Sequence, residues 1–310
     1  MNMTSVAAAP GAAEPPSAFD TGYYDLIAYV VSNAIAGEIM AIENYSEMVH
    51  LMPTTQAKIE TVMQANEECK HILLLSKLGR TLDIGVQRRI VEPQWNTIRK
   101  HFSNAVARRD LPACLIIQDL MTETMAILLY RTLAAEAETD PRTAQVAAAI
   151  LKDELEHLEI GKARLRELLA ADPAAVHDAL AWAHHRVMPE LFAMISTSCH
   201  FLCDDLGIDC GSLSLGSIRT DIEQLRVRGL ELYVETLDSL FDPKITNPLI
   251  ASMSAYEGAS NMFPQAASGA ACCGSQAANR VPAAAASCCG PAAKAAPAEA
   301  ACCAQTAGQA

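Results

Sequence analysis

From Asp20 to about Asp242, apolar residues recur with the three-and-four spacing of a helix face. The runs are long and are separated by short breaks at Met52-Pro53, Gly79 to Gly85, Asp110 to Pro112, Asp140-Pro141 and Asp172-Pro173. Pro and Gly concentrate at these breaks, as helix start and stop signals do. The pattern predicts helices near 20–50, 55–79, 93–108, 112–137, 142–171, 174–206 and 214–241, the sixth broken near Pro189. No alternating run is long enough to predict a useful strand. The expected architecture is all-α, an expectation that the abundance of Ala, Leu, Met and Glu supports.

The pattern fades at both ends. Residues 1–19 are Ala/Pro-rich, broken by Pro10, Pro15 and Pro16, without a basic start or a continuous apolar stretch. They read as a disordered leader and not as a secretory signal. From about Asn261 the chain is rich in Ala, Pro, Gly and Ser and poor in Leu, Ile and Phe, so little there offsets chain entropy and disorder is expected. The expected organisation is a leader over 1–19, a helical domain over 20–242, and a linker and low-complexity tail over 243–310. The most apolar run, Ala113 to Ala135, approaches membrane-spanning length but carries Gln118, Asp119 and Glu123, which predicts a buried core helix and no stable membrane insertion.

The net charge of −13, with no basic stripe evident along the chain, argues against nucleic acid and an anionic membrane surface as partners. Eleven cysteines without a secretory signal point to metal binding or redox work in the cytoplasm, not to a disulfide scaffold.

Chemistry enters through carboxylates on apolar faces. Glu38 has Ala34, Ile35, Ala41, Ile42 and Tyr45 as helical neighbours, and Glu123 has Asp119, Leu120, Ala126 and Ile127. An isolated charge in such surroundings is costly, so each carboxylate is expected to be paired, protonated or bound to a cation. Two segments carry Glu-x-x-His, Glu68 with His71 and Glu154 with His157, a spacing that puts both side chains on one helix face. A third copy, Glu47 with His50, shares its face with Glu43 and reads as solvated surface.

In chain order, these residues give a single Glu, a Glu-x-x-His, a single Glu and a Glu-x-x-His. That is the ligand set of a ferritin-like four-helix bundle holding two metal ions. Carboxylate and imidazole donors suit iron or manganese. Spacing does not separate Glu68 from Glu67, which lies four residues before His71.

The chain resembles the cyanobacterial-type aldehyde-deformylating oxygenases, also called aldehyde decarbonylases. The segments that carry the resemblance are Gly37 to Tyr45, Leu51 to Pro53, Glu68 to His71, Pro112 to Gln118 leading into Glu123, and Lys152 to Leu158 with Gly161. The resemblance implies two irons held by Glu38, Glu68, His71, Glu123, Glu154 and His157, with Tyr130 and Gln118 beside them. It also implies that Ala126 leaves room for an alkyl chain. The implied reaction uses O2 to convert a long-chain aldehyde to an alkane one carbon shorter plus formate. With no flavin or nicotinamide motif present, a ferredoxin-type reductant is the implied donor. The chain departs from the family pattern in longer loops before Glu68, between Pro93 and Arg99 and before Glu154, and in its tail. Those departures keep two alternatives open: a di-iron hydroxylase or oxidase of another substrate, including one linked to metalloid chemistry, and a non-enzymatic metal-binding protein.

The tail repeats a cysteine pair at Cys272-Cys273, Cys288-Cys289 and Cys302-Cys303. Adjacent cysteines close only a strained ring on each other, whereas vicinal thiolates chelate soft ions such as Cu(I), Zn(II) or As(III). Cys199, Cys203 and Cys210, with His200, form a further cluster, read mainly as ordinary buried thiols.

Overall fold

Four helix starts are capped by one device. Asp110, Asp140, Asp172 and Asp242 each accept a hydrogen bond from a backbone N–H two or three residues on, at 3.1, 3.2, 3.0 and 2.8 Å. A proline one or two residues after each Asp occupies the first turn, where its missing N–H costs nothing. Thr54 caps α2 with the proline on its other side, at Pro53, and accepts from Ala57 N at 3.1 Å.

In a computed structural model, residues 21–86, 92–135, 140–200 and 222–253 are described. Helix α1 runs Thr21–Met48 and passes through a short 3-10 turn to α2, Thr55–Leu82, and then α3, Glu92–Ala107. Helix α4, Leu111–Leu115, continues through a π-helical stretch, Ile116–Thr122, into α5, Glu123–Ala134. Helices α6, Pro141–Ala171, α7, Pro173–His200, α8, Ile222–Asp238, and α9, Pro243–Ser252, follow. No strand occurs among the described residues, so the all-α expectation holds.

α1 packs on α2 and α5 on α6, and α2 meets α6 to complete a four-helix bundle. Two apolar clusters flank the bundle centre. One joins Ile27, Val31, Ile35, Leu75, Leu78 and Ile150. The other joins Met40, Ile98, Phe102, Leu115, Ile117 and Leu120 to Leu180, Val187 and Tyr233 of α7 and α8. At roughly 1.5–3 kcal/mol per fully buried large apolar side chain, these clusters are the main term favouring the fold.

Three expectations are corrected. Helix α7 passes through Pro189 unbroken, because burial of Val187, Met188, Leu191 and Phe192 around it outweighs one lost backbone bond. The helical unit does not stop at Asp242: α9 follows and buries Leu249 against the core. The helix expected over 112–137 is α-helical only at its two ends, with the π-helical stretch between them. The leader and the Cys-pair tail lie outside the described residues, as do Cys203 and Cys210.

Two segments, Asp25–Leu51 and Leu111–Ala134, are long and apolar enough to cross a membrane, and most of each is buried against other helices. They serve here as core helices.

Candidate metal centre

Four long helical segments each turn one or two ionisable side chains into the bundle centre. Glu38 comes from α1, Glu68 and His71 from α2, Glu123 from the start of α5, and Glu154 and His157 from α6. All six are buried, none more than 6% exposed. Their donor atoms form two groups: Glu38, Glu68, His71 and Glu154, and Glu68, Glu123, Glu154 and His157. Within each group the atoms lie within 4.8 Å of one another, so a single ion could touch all four. Glu68 and Glu154 belong to both groups.

The two halves mirror each other. His71 Nδ1 faces inward, 2.9 Å from Glu68 and 3.3 Å from Glu154, while its Nε2 lies 3.3 Å from Asp153. His157 Nδ1 faces inward, 3.2 Å from Glu68, while its Nε2 lies 2.8 Å from Glu67. Each imidazole thus turns one nitrogen to the centre and the other to an outer carboxylate that fixes the ring. Glu67 and Glu68 point in different directions. Glu68 points into the cluster, and Glu67, a partly exposed residue, holds His157 from behind.

The single Glu residues are held as firmly. Tyr130 donates a short hydrogen bond to Glu38. Glu123 Oε1 accepts from Tyr45 Oη at 3.0 Å and from Gln118 Nε2 at 2.9 Å. Gln118 Oε1 accepts from Asn44 at 2.7 Å, and Tyr45 Oη accepts from Gln64 at 3.2 Å. Tyr130 and Gln118, singled out from the sequence, therefore both touch the cluster. Tyr45, Asn44, Gln64 and Asp153 were not singled out as site residues, and Glu67 was kept only as an alternative ligand to Glu68.

Electrostatics shows what the pocket lacks. Burial, with the Glu68 charge beside it, pushes the Glu38 carboxyl up to about 7. Burial and Glu154 hold Glu123 well above the ordinary carboxylate range. Burial opposes protonation of His71 and His157, but hydrogen bonds, first to Glu154, outweigh it and raise both. Buried carboxylates crowded this closely favour a compensating positive charge among them. Glu68 Oε1, Glu154 Oε1 and His157 Nδ1 are buried and face one another or His71 at 3.2–3.3 Å without the alignment of a good hydrogen bond, so all three stay aimed into the centre. Four carboxylates also match the charge of two divalent ions, with both imidazoles neutral. The residues fit a two-metal centre.

A cavity of about 160 Å³ opens on the cluster, roughly ten times the room one water needs. Glu38, Glu68, Glu123 and Glu154 form part of its wall, and most of the rest is apolar, with Ala34, Ala126, Leu129, Leu133 and Met194 among the lining. Ala126 is one of the residues that line this cavity. Glu47, by contrast, sits away from the cluster and pairs with Arg99, which also holds Glu43 at 3.0 Å. That is the surface role expected for Glu47, and His50 beside it is exposed.

The fold is similar to that of "Protein 19 with aldehyde deformylating oxidase activity" from Synechococcus, with a TM-score of 0.62 at 20% identity. The likeness covers 75% of this chain and 97% of that one, and it bears out the ferritin-like bundle. The sequence model of the long-chain fatty aldehyde decarbonylases matches residues 20–199, more than half of the chain and every side chain of the metal cluster. The chain belongs to the long-chain fatty aldehyde decarbonylase family.

Proposed function

We propose that the protein is an O2-dependent di-iron oxygenase that converts a long-chain fatty aldehyde to an alkane one carbon shorter plus formate. The observation that carries this is the juxtaposition of two overlapping four-donor groups with one apolar cavity. Carboxylate and imidazole donors favour iron or manganese over softer metals. Two irons held by Glu38, Glu68, His71, Glu123, Glu154 and His157 would supply the O2 activation.

The chain's own residues do the rest. Tyr130 holds Glu38, and Tyr45 and Gln118 hold Glu123, which limits where those carboxylates swing. Glu67 and Asp153 fix the imidazole faces. The apolar walls take the alkyl chain and keep bulk water off the reacting carbonyl. Electrons come from a ferredoxin-type donor outside the chain, a reading supported by the lack of a flavin or nicotinamide motif.

The test is to load the protein anaerobically with Fe(II) and supply octadecanal, a reductant and O2. Heptadecane and formate should appear. Oxygen uptake without heptadecane would point to a hydroxylase of another substrate, and no uptake at all to a metal-binding protein.

For the tail, we read Cys272-Cys273, Cys288-Cys289 and Cys302-Cys303 as chelators of a soft metal or As(III), separate from the bundle chemistry. Native mass spectrometry with Cu(I), Zn(II) and As(III) tests this, and a chain that takes up none of them refutes it. Removing the residues after Asn261 should leave alkane formation intact.

A further inference from the structure

The chain carries a charge of −13, yet the fully exposed charged side chains of α2 are all cations. Lys58, Lys70, Lys77 and Arg80 are exposed, and none is in an ion pair among the described residues. The two half-buried acids of the same helix are engaged with α6: Glu60 with Arg164 at 3.4 Å, and Glu67 with His157 at 2.8 Å. Between the cations stand four large apolar side chains left in water: Ile59 at 49%, Val62 at 56%, Met63 at 57% and Leu73 at 69% exposure. This cationic and apolar ridge, invisible in the net charge, corrects the expectation that the chain has no basic stripe.

The ridge lies on the outer side of the helix that supplies Glu68 and His71. Beside it two partly exposed carboxylates link the buried imidazoles to the surface. His157 is one hydrogen bond from Glu67, whose side chain is 29% exposed, and His71 is one from Asp153, at 33%. The apolar cavity lies on the other side, walled by α1, α3, the π-helical stretch, α5, α7 and α8, with Glu68 the only α2 residue and Glu154 the only α6 residue in its lining. A substrate entering from a membrane would gain nothing from docking on α2, whereas an electron carrier there would sit one helix away from the cluster.

We infer that the outer face of α2 is the docking surface for an acidic protein carrying a one-electron redox centre near its surface. The inference rests on the oxygenase reading above, which requires external electrons. Charge complementarity brings the partner in and fixes its orientation, and the exposed Leu73 and Met63 supply the apolar contact at the centre.

The probe is an acidic plant-type [2Fe–2S] ferredoxin titrated calorimetrically into the full-length protein at low and high salt. Wild type should bind, more weakly as salt rises. The double variant Lys77→Glu/Arg80→Glu should bind about tenfold more weakly or worse, and the uncharged Leu73→Ser should also lose affinity. The control Arg109→Glu/Arg186→Glu, on the loop after α3 and on α7, should bind as wild type does, and circular dichroism should show all variants equally helical.

In turnover, the ridge variants should lose rate with ferredoxin but keep it with a small-molecule reductant. Absence of alkane with either donor, in wild type, would instead count against the oxygenase reading. The docking proposal is overturned if ferredoxin does not bind wild type, or if the ridge variants bind it unchanged. It is also overturned if phosphatidylglycerol vesicles, and not ferredoxin, bind wild type and lose binding in those variants.

Discussion

Gly161 of α6 and Asp119 of the π-helical stretch share a space that holds only one side chain. A Cβ on Gly161 would lie 2.2 Å from Asp119 Cβ, a distance that no rotamer change relieves. Asp119 is fully buried, and burial pushes its carboxyl up to about 7 although the Arg164 guanidinium stands 3.6 Å away. Gly161→Ala should therefore separate α6 from the π-helical stretch and destabilise the fold by about 1–3 kcal/mol or more, as overpacking does. A fall in the denaturant midpoint at unchanged slope checks this.

Glu67 and Glu68 should part company under mutation. Glu67→Leu removes only the carboxylate behind His157, so metal affinity should drop about 10–100-fold while the stoichiometry is kept. Glu68→Ala removes a carboxylate common to both donor groups and should abolish tight binding of both ions. Equilibrium dialysis with Fe(II) under argon distinguishes the two outcomes.

Ala126→Phe places a ring in the cavity while leaving every proposed ligand unsubstituted. Long aldehydes should lose kcat/KM by tenfold or more, on the order of 1–3 kcal/mol of clash, while short aldehydes and metal content stay near wild type. An equal loss for all chain lengths would remove Ala126 from the substrate path.

His184 gives the fold a pH dependence remote from the cluster. It is buried between α8 and α9, its Nδ1 lying 3.0 Å from Tyr233 Oη and its Nε2 3.5 Å from Ser252 Oγ. Burial, and then the neighbouring His185, lowers its pKa from 6.5 to about 4. The unfolded chain therefore binds this proton more readily than the folded one. Stability should fall as pH drops from about 6.5 to about 4, by on the order of 3 kcal/mol from this group. His184→Gln should flatten that part of the curve in urea melts taken across the range.

Much of the site was legible because burial and helix periodicity leave marks in one dimension. Glu38 and Glu123 stood out by their apolar neighbours, and the two Glu-x-x-His pairs by spacing. What supports them did not stand out, because it is assembled across the chain. Asn44 meets Gln118 from 74 residues away, and Glu67 meets His157 from 90. The choice between Glu67 and Glu68 turns on a rotation of about 100° around α2, which spacing to His71 alone does not decide. The π-helical stretch carries no composition signal. Helix α9 did have a signal: Asp242-Pro243 repeats the cap seen at Asp140-Pro141 and Asp172-Pro173. The ridge on α2 escaped notice because its cations are spread over many residues and emerge as one surface only once Glu60 and Glu67 turn towards α6.

The centre itself is tested most directly by counting iron. Anaerobic titration of the apoprotein with Fe(II), followed by desalting and metal analysis, should give two tightly held irons per chain, matching the two donor groups. Glu154→Ala should hold neither ion tightly, because both groups lose a shared carboxylate. One iron per chain in wild type, or two retained in Glu154→Ala, would contradict a binuclear centre bridged by Glu68 and Glu154.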